Sequence, residues 1–174
     1  MAIDFPLSTR AGLHFRTSLP PGFLHCPATQ LHKLLPGPTL IHLEGKSREN
    51  LFVSILLHGN ETSGLTAVQK TLGKLQPEQS LLARGLILFV GNIHASRHEA
   101  RRLPEQPDFN RIWAGGELDE HRMAEAVVNY VARANPVAAI DIHNNTGINP
   151  HYACINKFEH RFLRLASLFG RLIV

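Results

Sequence analysis

Cysteine is nearly absent from this chain. Cys26 and Cys154 are the only two among 174 residues, too few for a disulfide framework, and no Cys-x-x-Cys pair offers a structural zinc site. Long apolar runs are absent as well. None approaches the ~18 residues that span a membrane, and the opening Met1-Ala2-Ile3-Asp4 lacks the basic-then-apolar order of a signal peptide. We therefore expect a cytoplasmic protein with reduced thiols and no membrane partner. Internal repeats and low-complexity segments are missing, and nothing points to disorder.

What is present suits one globular domain over residues 1–174, at 44% hydrophobic and 18% charged. The net charge is +4 and the pI near 9.4. That balance admits nucleic acid, but the basic residues are scattered apart from Arg97, Arg101 and Arg102. A small anionic substrate explains this local cluster at least as well, and no nucleic-acid partner is expected. Of the 11 histidines, His14, His25, His32, His42 and His160 have no ligand-like spacing.

The N-terminal stretch 1–38 carries six prolines, from Pro6 to Pro38, and no helical or strand period. It reads as an irregular lead-in packed on the surface. Thr39 to Glu44 reads as a strand, and Gly45 to Asn50 as a turn into a second strand, Leu51 to Leu57. That pair suggests a hairpin at one side of a sheet. The second run is nearly all apolar, which suits a strand buried on both faces of a parallel sheet. Leu65, Val68, Leu72 and Leu75 then recur at helical spacing until Gln76-Pro77 stops them. Gly85 to Val90 is the next strand, ending at Gly91-Asn92. No period holds from Ile93 to Gly116, a loop long enough to suggest function. Asp119 to Asn135 has one apolar stripe and acidic residues in its first turn, which predicts a helix. Val137 to Ile142 is a third apolar strand, ending at His143. A short strand (Tyr152 to Ile155), a helix carrying Phe158, Phe162, Leu165 and Phe169, and a strand from Arg171 complete the pattern. The fold class is therefore α/β, an open, mostly parallel but mixed sheet flanked by helices.

His58, Asn92 and His143 all follow the carboxyl ends of strands, where open α/β sheets bind ligands. His58-Gly59-Asn60-Glu61 places an imidazole and a carboxylate three residues apart in a strand-to-helix turn. Such a pair suits the mixed nitrogen and oxygen ligation of catalytic Zn²⁺. From this turn alone, a metal site and a solvated polar turn both stay open.

Read with Asp108-Phe109-Asn110-Arg111 and Asp141-Ile142-His143-Asn144, the turn resembles the succinylglutamate desuccinylase/aspartoacylase family of carboxypeptidase A-like zinc hydrolases. The resemblance runs from about Leu51 to the chain end. It implies a carboxypeptidase/phosphorylase-like three-layer architecture and one Zn²⁺ per chain held by His58, Glu61 and His143. It implies further that Asp108 orients a ligand histidine, and Asp141, on the same strand face as His143, is expected to do similar work. Asn110 and Arg111 match a pair that holds a substrate carboxylate. An upstream arginine would polarise the scissile carbonyl. Arg102 is the nearest match, one residue out of register, with Arg101 and Arg97 as alternatives. Asn92-Ile93-His94-Ala95 departs from the family's Asn-Pro-x-Ala at Ile93.

The implied activity is hydrolysis of an amide in an N-acyl amino acid or similar small carboxylate-bearing substrate. A metallocarboxypeptidase and a non-catalytic metal-binding homologue are the alternatives. The family's proton-transferring glutamate lies on a strand further downstream than Val174, so the chain reads as an N-terminal portion or a shortened homologue. Glu159, the one later acid, reads as a helix-start charge. An uncovered apolar face, and with it self-association, is expected.

Overall fold

Why the chain forms a layered α/β structure is visible in how its strands divide their side chains. The computed structural model describes residues 12–75, 82–145 and 147–174. It contains strands β1 (His14–Arg16), β2 (Thr39–Leu43), β3 (Asn50–Ile55), β4 (Gly85–Val90) and β5 (Ala138–Asp141), with helices α1 (Ser63–Leu75), α2 (Ile93–Ser96) and α3 (Asp119–Ala134) between them. The five strands form one sheet in the order β1-β2-β4-β3-β5. Among the described residues of this sheet only the β2–β4 pairing is antiparallel; β1–β2, β3–β4 and β3–β5 are parallel.

Successive side chains on a strand point to opposite faces. Ile41, Leu43, Leu88, Val90 and Ile55 pack on one face with Leu65, Val68 and Leu72 of α1. Leu40, Ile87 and Phe89 pack on the other with Met123, Ala124, Val127 and Tyr130 of α3. The result is helix, sheet, helix, as expected for the fold class. α1 lies where its spacing predicts, and α3 ends one residue short of the expected Asn135. The expected stop at Gln76-Pro77 falls outside the described residues.

Two expectations are corrected. β2 and β3 are not a hairpin, because β4 lies between them. Their connector wraps the start of β4 instead: Lys46 N–H donates to the Leu82 carbonyl at 2.8 Å and Gly85 N–H to the Glu49 carbonyl at 2.9 Å. Gly45 permits this, since a Cβ there would stand 2.2 Å from the Arg84 carbonyl carbon. The lead-in is not a surface wrapping either. In its described part β1 extends the sheet, and two 3-10 turns, Phe23–His25 and Ala28–Lys33, carry Phe23 and Leu31 into the α1-side core along with Leu35.

Residues 1–144 and 145–174 are two compact units. In the second, β6 (Tyr152–Ala153) pairs in parallel with β7 (Leu172–Ile173), and α4 (His160–Ala166) lies between them in the chain. Phe158 and Leu168 are exposed in this unit. Among the described residues no helix is long and apolar enough to cross a membrane.

Candidate metal centre

The parallel arrangement of β3, β4 and β5 brings three strand ends to one edge of the sheet. β3 stops at Ile55 because Leu56 takes a left-handed backbone with φ of 55°. That conformation costs a non-glycine residue about 1–2 kcal/mol. It is held by buried packing of the Leu56 side chain and by Asn92 N–H donating to the Leu56 carbonyl at 2.6 Å. The kink turns Leu57 into the α3-side core and delivers His58, 2% exposed, to the strand edge.

Gly59 follows for reasons of space. A Cβ at this position would stand 2.3 Å from the Ser96 nitrogen and 2.7 Å from the Ala100 carbonyl oxygen. Glycine alone lets the 95–101 segment close on the turn, where Gly59 N–H donates to the Arg101 carbonyl at 3.1 Å. Asn92 anchors that segment. Its Oδ1 caps α2 by accepting from Ala95 N–H, and its Nδ2 donates to Gln106 Oε1 at 2.7 Å. Gln106 had no signal in the sequence, since it lies in a stretch without period.

The site is built around Glu61, which is buried. His58 Nδ1 lies 2.8 Å from Glu61 Oε1, and His143 Nδ1 lies 2.8 Å from Glu61 Oε2. Asn144 N–H donates to Glu61 Oε2 at 3.0 Å, and Ser63 Oγ donates to Asn144 Oδ1. Each ring has a second carboxylate at its far nitrogen. His58 Nε2 is 2.9 Å from Asp108 Oδ1, and His143 Nε2 is 2.7 Å from Asp141 Oδ2. One ligand atom from each of His58, Glu61 and His143 fits within a 4.8 Å cluster.

These contacts set the charge states. Burial alone would raise the Asp108 carboxyl, but hydrogen bonds from His58, Asn110 N–H and Arg101 outweigh it and hold the group at about 2. The hydrogen bond to Asp141, opposed by burial and reinforced by Glu61, lifts His143 to about 9.

The donor set fits a divalent cation. With neutral imidazoles, the carboxylates of Glu61, Asp108 and Asp141 outweigh the nearby Arg101 by two charges. Both Nδ1 atoms face the Glu61 oxygens, and both Nε2 atoms face a carboxylate that fixes the ring.

The Asp108-to-Arg111 loop is held from both sides. Phe109 is buried in the α3-side core with Ile112, while Asn110 N–H donates to Asp108 Oδ1 at 2.8 Å. The Arg111 guanidinium is exposed and its contact is local, to the Asn110 carbonyl at 3.3 Å. Of the clustered arginines, Arg101 reaches the centre, at 3.4 Å from Glu61 and 3.2 Å from Asp108. Arg102, the nearest match by spacing, instead donates to the Gln106 carbonyl at 2.7 Å.

No curated protein and no solved structure matches the chain. Residues 48–173 match the family described as succinylglutamate desuccinylase/aspartoacylase catalytic domain. That span takes in the His58–Glu61 turn, the Asp108–Arg111 loop and the Asp141–His143 strand end together, and the chain belongs to this family.

Proposed function

We propose that this protein is a zinc-dependent hydrolase that cleaves an amide bond in an N-acyl amino acid. The observation that carries the reading is the convergence of His58, Glu61 and His143, with a carboxylate behind each imidazole. Zn²⁺ held there supplies Lewis acidity, which lowers the pKa of water and polarises a carbonyl.

The chain's own residues supply the rest. His58, Glu61 and His143 would hold the ion, and Asp108 and Asp141 fix the two imidazoles through their Nε2 atoms. Arg101 is half-exposed and only loosely bonded to Glu61 and Asp108. Its guanidinium is therefore free to donate to a developing oxyanion. Asn110 and Arg111, on the loop beside Asp108, take the substrate carboxylate, for which a planar guanidinium is suited. Glu61, Asp108 and Asp141 all face imidazole nitrogens, so proton transfer to the leaving amine calls for a further carboxylate.

The experiment is a metal analysis paired with parallel assays. Purified protein is expected to take up one Zn²⁺ per chain, which His58→Ala abolishes; turnover, which needs the further carboxylate, is expected to be faster on N-acyl amino acids than on short peptides. Zinc uptake without turnover of either substrate would leave a metal-binding homologue. A wild-type chain that takes up no Zn²⁺ would sink the reading altogether.

A further inference from the structure

Ser54 stands out inside β3. It is the one hydroxyl in the run Leu51-Phe52-Val53-Ser54-Ile55 and is 4% exposed. Burying a hydroxyl is unfavourable unless it is hydrogen-bonded, and here the partner is specific. Ser54 and Asp141 are register partners across the parallel β3–β5 pairing. Ser54 Oγ donates to Asp141 Oδ1 at 2.6 Å, while Asp141 Oδ2 lies 2.7 Å from His143 Nε2. The Ser54 carbonyl also accepts from Ile142 N–H at 3.0 Å, which ties the same residue to the strand end before His143.

We infer that Ser54 is a positioning residue for the metal centre: through Asp141 it fixes the ring orientation and tautomer of His143. The inference rests on the zinc reading above and goes beyond it, because Ser54 touches neither metal ligand nor substrate.

The two imidazoles need different amounts of help. Asp108 is held by the Asn110 N–H and by Arg101 as well as by His58. Asp141 has a 40% exposed side chain, and among the described residues its remaining side-chain hydrogen bond is the one from Ser54. Without that hydroxyl the carboxylate is free to rotate toward water. His143 Nε2 then loses a fixed acceptor, and the ring no longer presents Nδ1 to the ion in one tautomer.

The test uses the full chain and two readouts other than activity. Zn²⁺ affinity is measured by competition with a chromophoric chelator, and imidazole ¹⁵N spectra of the zinc-loaded protein report the tautomer of each ring. Ser54→Ala is expected to weaken Zn²⁺ binding roughly tenfold, the lower end of what loss of an outer-shell partner costs. It should broaden or shift the His143 signals while leaving those of His58 in place. Ser54→Thr should restore both, and Ser54→Val should not. Thr and Val share a shape, so this pair isolates the hydroxyl even if the alanine variant folds poorly. Val binding Zn²⁺ as tightly as Thr, with unchanged His143 signals, overturns the inference while leaving the metal site standing. Wild type that takes up no Zn²⁺ overturns the metal site, and the inference with it.

Discussion

His58 and His143 offer the same nitrogen to the same carboxylate from unlike surroundings. The His58 side chain is 2% exposed and the His143 side chain 28%. His58 sits in a turn clamped by the 95–101 segment, and the carboxylate behind it has three partners. His143 follows β5, an outer strand of the sheet whose residues alternate between half-buried and exposed. One arm of the site is part of the core, and the other is propped from a neighbouring strand. On the proposed zinc reading, the first arm would fix where the metal sits and the second how firmly it is kept.

Removing each arm should give the largest contrast. His58→Ala is expected to lower Zn²⁺ affinity on the order of a thousandfold or more. It should also destabilise the metal-free protein by about 3 kcal/mol, because it takes from the buried Glu61 carboxylate its one fully buried partner and leaves a cavity in the turn. His143→Ala should cost comparable affinity but at most about 1 kcal/mol of stability, its contacts being partly solvated. Equal stability losses in urea melts would erase the distinction.

Gly59→Ala attacks the clamp. The added methyl meets backbone atoms, which cannot step aside as a side-chain tip can, and a loss of about 3 kcal/mol is expected. Metal affinity should fall with it as the Arg101 segment is pushed off. A variant as stable as wild type would mean that the close approach at Gly59 is not required.

The arginines come next. Arg101→Ala is expected to lower kcat/KM about a hundredfold, the size of a lost oxyanion donor. Arg102→Ala, which loosens only the Gln106 contact, should change it about threefold. The reverse order would return the catalytic role to Arg102.

A different handle on the same contrast is pH. In the metal-free protein His143 is protonated up to about 9, so its contribution to stability is complete below the ordinary value of 6.5 and is lost as pH rises through 9. Zinc competes with that proton. Apparent Zn²⁺ affinity should therefore rise about tenfold per pH unit below 9, while metal-free stability declines. Calorimetry in buffers of different ionisation enthalpy counts the proton released, and a count of zero at pH 8 would contradict the raised His143.

Much of this was legible in the residues. Apolar runs ending at His58, Asn92 and His143 place three strand ends, and α3 announces itself by its stripe and acidic first turn. Asp141 could be anticipated because strand alternation puts it on the face of His143, and Asp108 because its loop resembles the family's. Strand pairing could not, since nothing in the period of β2 or β3 says that β4 intervenes. The buried lead-in was hidden for another reason: 3-10 turns are too short to establish a period, so Phe23 and Leu31 look like isolated apolar residues. Arg101 and Arg102 are neighbours in an aperiodic loop, where spacing cannot decide which one points inward. Ser54 left a faint mark, a hydroxyl in an apolar strand, but its partner lies 87 residues away.

The left-handed Leu56 bears on the order of events in the life of the molecule. An unfolded chain has little reason to hold a leucine in that conformation. The kink becomes affordable only once β3 is seated and the Asn92 amide is in place to receive it. His58 and Glu61 thus point together only after the sheet exists, and His143 joins them from 82 residues further along. On the proposed zinc reading, the ion would enter a finished pocket and have no template to build. The timing of maturation follows: metal supply should limit how many molecules are loaded, and leave the speed of folding unchanged.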